Sequence, residues 1–258
     1  MRFGLEIRAG RPSALEFAEE LTAQIERLGG ELITAPDDPP DIVVGVGGDG
    51  TMLAAVRRSL AWDVPVLGFN LGTLGFLAEA EPRDLEPVVE RLIAGDYRID
   101  ERATVVASIG EETALGLNDV VVEKIDTTRL VSLDVVIDGE PFVTYRADGL
   151  IVATPTGSTA YAFSAGGPLV DHRVGALVMT PVSSHSLFDR SLVLSDTSTI
   201  EVRVSSDRLV KVHVDKSSLG QLDENETVSI TKGDRPARFV KLGIRGFPSL
   251  VKDKFRLE

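Results

Sequence analysis

The sequence predicts two domains of different class: an α/β domain at residues 1–99 and a β-rich domain at residues 100–238. In the first part, short apolar runs alternate with segments of helical spacing, which is the pattern of βα units. In the second part, closely spaced β-branched runs follow one another with few helix-length segments between them. Periodicity leaves open whether the tail, residues 239–258, closes the second domain or packs back on the first.

The amino-terminal elements are predicted from apolar runs and from helix boundary signals. Strands are expected at Phe3–Ile7, Leu32–Ile33, Asp41–Val46 and Val64–Phe69, and helices at Pro12–Leu28, Thr51–Leu60 and Pro82–Ala94. Pro82 in a first turn and Gly95 just past a last turn are typical helix boundaries. The run before the glycines at 45–50 is short and wholly apolar, so it predicts a buried strand leading into a helix.

The carboxy-terminal elements are predicted mainly as strands. They are expected at Val120–Val122, Val131–Ile137, Leu150–Ala153, Ile200–Val204, Leu209–Val214 and Val228–Thr231. One helix is expected to open at Ser158 or Thr159, behind Gly157.

The composition excludes several classes of site. There is no cysteine, which excludes disulfides, thiolate metal sites and a cysteine nucleophile, and is typical of a reducing compartment. The amino terminus lacks the apolar core of a signal peptide, and charges or glycines interrupt every apolar run well before the roughly 20 residues that a membrane span requires. We therefore expect a cytoplasmic protein that does not enter a membrane.

The charge balance limits the partners. With 27 basic and 40 acidic residues, the formal net charge of −13 opposes attraction to nucleic acid or to an anionic membrane. A nucleotide can still bind, because glycine-loop amides and a magnesium ion offset phosphate charge locally.

The glycine loop at residues 45–50 satisfies the three-glycine fingerprint of a Rossmann-like domain. An ordinary site of that kind wants an acidic residue about 20 positions on, where Asn70 stands, and no carboxylate in the loop. Asp49 within the loop suits a group that binds a hydroxyl or magnesium, as phosphoryl transfer to an alcohol requires. The alternative is a tight turn in which Asp49 or Thr51 only caps a helix. No GxxxxGK[ST] segment is present, which excludes a P-loop enzyme.

Three segments together resemble NAD kinases. Gly47-Gly48-Asp49-Gly50-Thr51 is similar to the GGDGT signature of NAD, diacylglycerol and sphingosine kinases and, more loosely, of 6-phosphofructokinases. Asp148–Pro168 resembles the long second motif of NAD kinases almost position for position, and Asn118-Asp119 resembles the family's asparagine–acid pair. Further matches are Asn70–Leu77, Pro181, His185-Ser186-Leu187 and Arg190.

The second motif and the asparagine–acid pair also have a physical interpretation. The motif reads as a strand, a polar turn and a helix start, where amides and the hydroxyls of Thr156, Ser158 and Thr159 can bind phosphate or a purine edge. The alternative is that these hydroxyls serve only the backbone. A neighbouring amide and carboxylate, as in Asn118-Asp119, suit the paired hydroxyls of a ribose, although such a pair before a strand is usually a turn.

The resemblance implies an NAD kinase, which transfers the terminal phosphate of ATP or polyphosphate to the 2′-hydroxyl of the adenosine ribose of NAD. Asp49 would be the catalytic base, and magnesium would be carried by the nucleotide with no metal ligand on the protein. The implied NAD-binding residues are Asp49, Gly50, Asn118, Asp119, Arg129, Arg146, Asp148, Thr159, Ala160, Tyr161 and Ser164. The implied phosphate-donor loop is Gly47, Gly48, Gly50 and Thr51. A homodimer or homotetramer is also implied.

Two alternative functions stay open, and the sequence departs from the family pattern at one place. The alternatives are a lipid kinase that uses the same glycine loop, and a non-catalytic regulator that binds NAD and leaves the donor unused. The departure is Asp215-Lys216-Ser217, where the family usually has Asp-Gly or Asp-x-Gln; Gly220-Gln221 comes only afterwards. This puts the family's glutamine contact in doubt.

Overall fold

The computed structural model describes residues 1–8, 10–35, 38–72, 75–244 and 246–257. The chain divides into two compact units. The first consists of residues 1–101 together with 237–258, and the second of residues 102–236.

The elements follow one another along the chain in this order. The amino-terminal ones are β1 (Arg2–Ile7), α1 (Pro12–Arg27), β2 (Glu31–Ile33), β3 (Ile42–Gly47), α2 (Asp49–Trp62), β4 (Val66–Asn70), α3 (Leu85–Ala94) and β5 (Arg98–Arg102). The middle ones are β6 (Val105–Ile109), β7 (Glu112–Gly116), β8 (Asp119–Lys124), β9 (Val131–Ile137), β10 (Glu140–Ala147), β11 (Gly149–Ala153), α4 (Tyr161–Ser164), β12 (Ala176–Val182), β13 (Leu192–Ser195), β14 (Ile200–Val204), β15 (Val210–Val214), β16 (Ser217–Leu222) and β17 (Thr227–Lys232). The last are β18 (Ala237–Lys241) and α5 (Phe247–Phe255).

The described part of the first unit contains a six-stranded sheet in the order β2-β1-β3-β4-β18-β5. The pairs β1–β2, β1–β3, β3–β4 and β4–β18 are parallel. Every residue of β3 is buried, as expected for a central parallel strand. Helix α1 buries residues spaced three and four apart, which are Ala14, Phe17, Ala18, Leu21 and Ile25. The Phe17 ring packs on that of Phe69 with 5.1 Å between centroids, so α1 lies against the sheet.

The tail belongs to the first unit. β18 lies in parallel beside β4, with Phe239 opposite Val66. The buried Glu79 holds the segment that follows, since its carboxylate accepts hydrogen bonds from Leu242 N at 2.9 Å and Lys241 Nζ at 2.5 Å. Arg245 and Glu258, both within the predicted tail, lie outside the described residues.

The described residues of the second unit form two antiparallel six-stranded sheets. Their orders are β10-β9-β14-β17-β6-β7 and β13-β12-β11-β8-β15-β16. Alternate side chains from both sheets meet in one core that includes Val105, Leu133, Leu150, Ile200 and Val212. The unit is therefore a β-sandwich, and the predicted combination of an α/β domain with a β-rich domain is confirmed.

Two differences from the predicted elements affect the site. The helix expected from Ser158 or Thr159 is only a 3₁₀ turn at Gly157–Thr159 followed by the four-residue α4. It ends at once because the Gly167 amide bonds Ala162 O and Gly166 adopts a left-handed φ of 92°. The pattern also did not predict β5, β6, β7, β10, β12, β13, β16, β18 or the α5 helix. Across the described ranges, no helix combines the length and the apolar character needed to cross a bilayer.

Candidate active site

In the first unit, the glycine loop joins β3 to α2. Gly48 precedes the helix in an extended conformation, and Asp49 is the first helical residue. The amides of Thr51 and Met52 both bond to Gly48 O, at 2.9 and 3.0 Å, so the helix begins at the loop. Apart from its chain neighbours, no described residue has an atom within 4 Å of where a Cβ of Gly48 would stand, so the described part of the chain leaves the loop backbone open to a ligand at this point.

The Asp49 carboxylate is held by a second segment of the chain. Its Oδ2 accepts a hydrogen bond from Phe76 N and its Oδ1 accepts one from Leu77 N, both at 3.3 Å. Asp49 therefore does not cap its own helix through its side chain, and the capping alternative is wrong for this residue. Each oxygen keeps further lone pairs, which can accept a hydrogen bond from a substrate hydroxyl.

The family-like loop at residues 70–77 is thus the support of Asp49. Asn70 ends β4, and its Nδ2 donates to Gly72 O at 3.1 Å, which shapes the start of the loop. The Leu71 amide donates to Gly47 O at 3.2 Å and ties the loop to the glycine loop. Thr73 and Leu74 of this motif lie outside the described residues.

In the second unit, Asn118 and Asp119 stand where the chain enters β8. They are buried, with 9% and 4% of their surface exposed. Among the described residues, none forms a hydrogen bond with the Asn118 amide group or the Asp119 carboxylate, whereas their main-chain groups are all engaged. Burial, and secondarily the charge of Asp215, raise the pKa of Asp119 to about 7. A buried carboxylate without a protein donor is suited to accept from the hydroxyls of a ligand.

The polar turn at residues 154–160 lies directly beside this pair. The Thr154 amide donates to Asn118 O at 2.8 Å, and its hydroxyl donates to Leu117 O at 2.6 Å. The two family-like motifs of the second unit therefore meet, although 36 residues separate Asn118 from Thr154 in the sequence.

The hydroxyls of the turn mostly serve its own backbone. Ser158 Oγ donates to Pro155 O at 2.6 Å and is fully buried, and Thr159 Oγ1 donates to Thr156 O at 3.0 Å. The amides from Gly157 to Ala160 are also bonded within the turn. The expectation of free amides at a helix start is therefore wrong, although Thr159 Oγ1 keeps lone pairs that can accept from a ligand.

Tyr161 follows the polar turn, and Asp148 immediately precedes β11, which pairs with the strand β8 that Asp119 begins. Burial, followed by the charges of Glu123, Asp148 and Asp119, raises the pKa of Tyr161. The Asp148 carboxylate forms an ion pair with Lys124. Ala160 and Ser164 flank Tyr161 in the chain, and Ser164 is exposed.

The two arginines are placed differently. Arg129 is exposed in the loop that follows β8, and no described contact joins it to Asn118 or Asp119. Arg146 is exposed near the end of β10. Its main chain binds the next family-like motif, since its amide donates to Ser186 Oγ at 3.0 Å and its carbonyl accepts from His185 N at 2.8 Å. His185 thus shapes a turn through its main chain.

The family models and the curated relatives agree with this arrangement. Residues 7–97 match the model described as the ATP-NAD kinase N-terminal domain, and residues 117–242 match the ATP-NAD kinase C-terminal domain. An NAD kinase of Thermococcus sibiricus is 36% identical over 278 residues, with 99% of this chain and 100% of the relative covered. The chain belongs to the NAD kinase family. An NAD kinase of Heliobacterium modesticaldum is 37% identical over 276 residues, with 98% of both chains covered.

Solved structures of the family share the fold. A yeast NADH kinase complexed with NADH superposes with a TM-score of 0.89 at 24% identity and covers 100% of this chain and 88% of its own. An NAD kinase from Archaeoglobus fulgidus in complex with ATP gives a TM-score of 0.78 at 25% identity and covers 100% of this chain and 97% of its own. The resemblance to NAD kinases, and with it the interpretation of the chain as a kinase, is confirmed.

Each unit of this NAD kinase family member holds part of the predicted site. The first unit brings Asp49 and its glycines together with the amides of Phe76 and Leu77. The second brings Asn118 and Asp119 to the turn that leads to Tyr161. Within the described ranges, no three His, Asp or Glu side chains are grouped to hold a metal ion. Sequence reasoning gave no role to Gly75, Phe76, Leu77 or Asp215, although each stood in a segment that it had noted.

Proposed function

We propose that this enzyme transfers the terminal phosphate of ATP to the 2′-hydroxyl of the adenosine ribose of NAD, giving NADP. The observation that supports the proposal most strongly is the Asp49 carboxylate, which two amides fix at the open end of a glycine loop. A fixed carboxylate beside a phosphate-binding loop suits proton transfer from an attacking alcohol. Membership of the NAD kinase family supports a hydroxyl of NAD, rather than of a lipid, as the phosphate acceptor.

Asp49 acts as the general base. It accepts the proton of the 2′-hydroxyl as that oxygen attacks the terminal phosphorus, and the leaving nucleotide departs from the opposite side. Phe76 N and Leu77 N orient the carboxylate, so that its free lone pairs face the reacting hydroxyl. Gly47, Gly48, Gly50 and Thr51 form the loop along which the donor phosphates lie.

The second unit holds NAD. Asn118 and Asp119 bind the hydroxyls of the adenosine ribose, because their side chains are buried and have no described protein partner. The adenine pocket is lined by Thr159, Ala160, Tyr161 and Ser164. Asp148 binds the nicotinamide carboxamide, and Arg129 and Arg146 pair with the pyrophosphate.

Magnesium and the assembly complete the proposal. Magnesium carried on the donor phosphates would supply charge neutralisation during transfer, and no protein side chain is assigned to hold it. Polyphosphate is a second donor that the same loop can bind, since it offers the same terminal phosphoryl group. The enzyme works in the cytoplasm as a homodimer or homotetramer.

The test is product formation by the purified protein from NAD and magnesium with ATP or polyphosphate as donor. We expect NADP, identified by its 2′-phosphomonoester in ³¹P NMR, with at least one donor. NAD binding without any product from either donor would contradict the proposal and would favour a non-catalytic regulator that binds NAD. Sedimentation of the active species would separately test the homo-oligomer.

A further inference from the structure

The turn between β15 and β16 carries Asp215, whose carboxylate is bound to the main chain of a distant segment. Its Oδ2 accepts from Leu117 N at 3.0 Å, and its Oδ1 accepts from Asn118 N at 2.7 Å and from Asp119 N at 3.4 Å. In return, the Asp215 amide donates to Asp119 O at 2.8 Å. One aspartate therefore fixes the segment that presents the buried Asn118–Asp119 pair.

The local backbone is built around this carboxylate. Three successive amides that converge on one anion make charge-assisted hydrogen bonds, which are roughly twice as strong as neutral ones. Asp215 keeps this contact in a left-handed conformation, with a φ of 51°, which aspartate adopts more readily than most residues with a side chain. Gly116 leaves room for the approach, since a Cβ there would lie 2.6 Å from Val214 Cγ1 and 3.2 Å from Asp215 Cγ.

The opposite side of the same segment is also fixed. Thr154 bonds to the carbonyls of Leu117 and Asn118, as described above, while Asp215 bonds to the amides. The peptide groups of the segment are thus held from two directions, and the Asn118 and Asp119 side chains remain without a described hydrogen-bonding partner. A rigid backbone that presents unused buried polar side chains is the arrangement expected of a preorganised binding site.

We propose that Asp215 is a positioning residue for NAD binding, which sets the orientation of Asn118 and Asp119 through their main-chain amides. The inference rests on the proposed function, which assigns that pair to the adenosine ribose. It gives a role to the first residue of the Asp215-Lys216-Ser217 turn, where the sequence departs from the usual family pattern: the Asp215 carboxylate makes the anchoring contact.

The experiment compares Asp215 with a matched turn aspartate. Asp138 lies in the β9–β10 hairpin, has the same φ of 51°, and accepts a main-chain hydrogen bond from Thr199 N at 2.8 Å. The variants are Asp215→Ala and Asp215→Asn, with Asp138→Ala and Asp138→Asn as controls. Steady-state kinetics are measured with NAD varied at saturating ATP and with ATP varied at saturating NAD, and each variant's thermal midpoint is recorded.

A positioning role predicts a change specific to NAD. Since a misplacement of about 1 Å can cost roughly a hundredfold, we expect Asp215→Ala to lower kcat/KM for NAD by about 10- to 100-fold, mainly through KM. The KM for ATP should stay within about twofold, and Asp215→Asn, which keeps one acceptor oxygen, should fall between wild type and Asp215→Ala. Both Asp138 variants should lower the thermal midpoint without changing the KM for NAD.

Failure of the inference differs from failure of the proposed function. If the wild type makes NADP and the Asp215 variants have the NAD kinetics of the Asp138 variants, Asp215 is merely structural and the inference is overturned. If Asp215→Ala does not fold at the assay temperature, the NAD kinetics of Asp215→Asn are compared with those of Asp138→Asn, and equal values overturn the inference. Wild-type protein that makes no NADP overturns the proposed function itself.

Discussion

Replacing Gly75 by alanine is expected to displace the Asp49 carboxylate. An ideal Cβ at residue 75 would lie 2.9 Å from Asp49 Cγ and 3.1 Å from Oδ2, and closer still to Oδ1. Ordinary contact begins at 3.4 Å, so the carboxylate carbon must move by at least 0.5 Å, or the loop must withdraw. Either movement weakens the hydrogen bonds from Phe76 N and Leu77 N, which are already 3.3 Å long.

The expected cost is in turnover. A catalytic group must be held to within about 0.5 Å, and a misplacement of about 1 Å can cost roughly a hundredfold. We therefore expect kcat for NADP formation to fall by about 10- to 100-fold, or about 1.4–2.7 kcal/mol in the barrier, with little change in NAD affinity. Gly72→Ala is the matched control in the same loop, because among the described residues an added Cβ would meet only the flexible Arg11 guanidinium, at 3.4 and 3.9 Å. Folded Gly75→Ala protein with kcat close to that of Gly72→Ala would refute the reasoning.

Two further predictions concern stability. Glu79→Ala should lower the free energy of unfolding by about 3 kcal/mol, because it leaves the partly buried Lys241 ammonium without its partner. The control Glu86→Ala removes an exposed ion pair and should change the free energy of unfolding by no more than about 0.5 kcal/mol. Equal urea midpoints for the two variants would contradict this prediction. Burial raises the pKa of Asp119 to about 7, so the folded protein keeps a proton on this carboxyl that the unfolded chain releases from about pH 4 upward. The stability that the protonated Asp119 contributes is therefore lost as the pH rises toward 7. Asp119→Asn should therefore gain stability relative to wild type between pH 5 and pH 8, by on the order of 2 kcal/mol; a difference that is the same at both pH values would exclude a raised pKa.

The elements that could be predicted are those with local signals. One example is the segment from β3 to α2, in which a buried apolar run, glycines and helical spacing lie within 21 residues. Its residue composition and hydrophobic period were sufficient to predict a strand followed by a helix. The same holds for Val131–Ile137 and Ile200–Val204, whose predicted bounds are those of β9 and β14. β10 was not predicted. It contains Pro141, which is disfavoured in a central strand, but β10 lies at a sheet edge, where proline is tolerated.

The candidate site could be predicted only as separate segments. Motif resemblance gave Asp49, Asn118 and Asp119, because each lies in a short, continuous pattern. The groups that hold them are distant in sequence: Phe76 N is 27 residues from Asp49, and Asp215 is 97 residues from Asn118. No local period encodes such contacts, since strand pairing alone brings them together. The hydroxyls of Ser158 and Thr159 bond to the backbone of their own short turn, which is the alternative that the sequence had left open.

The central claim, that Asp49 is the base for phosphoryl transfer, is tested most directly by Asp49→Asn. This change keeps the size of the side chain and removes its ability to take a proton. Turnover and the NAD dissociation constant are measured on the same preparation, beside wild type. We expect kcat to fall by about 10²- to 10⁴-fold while the dissociation constant changes by less than about threefold. Turnover close to wild type would contradict the account, because a group other than Asp49 would then have to accept the proton.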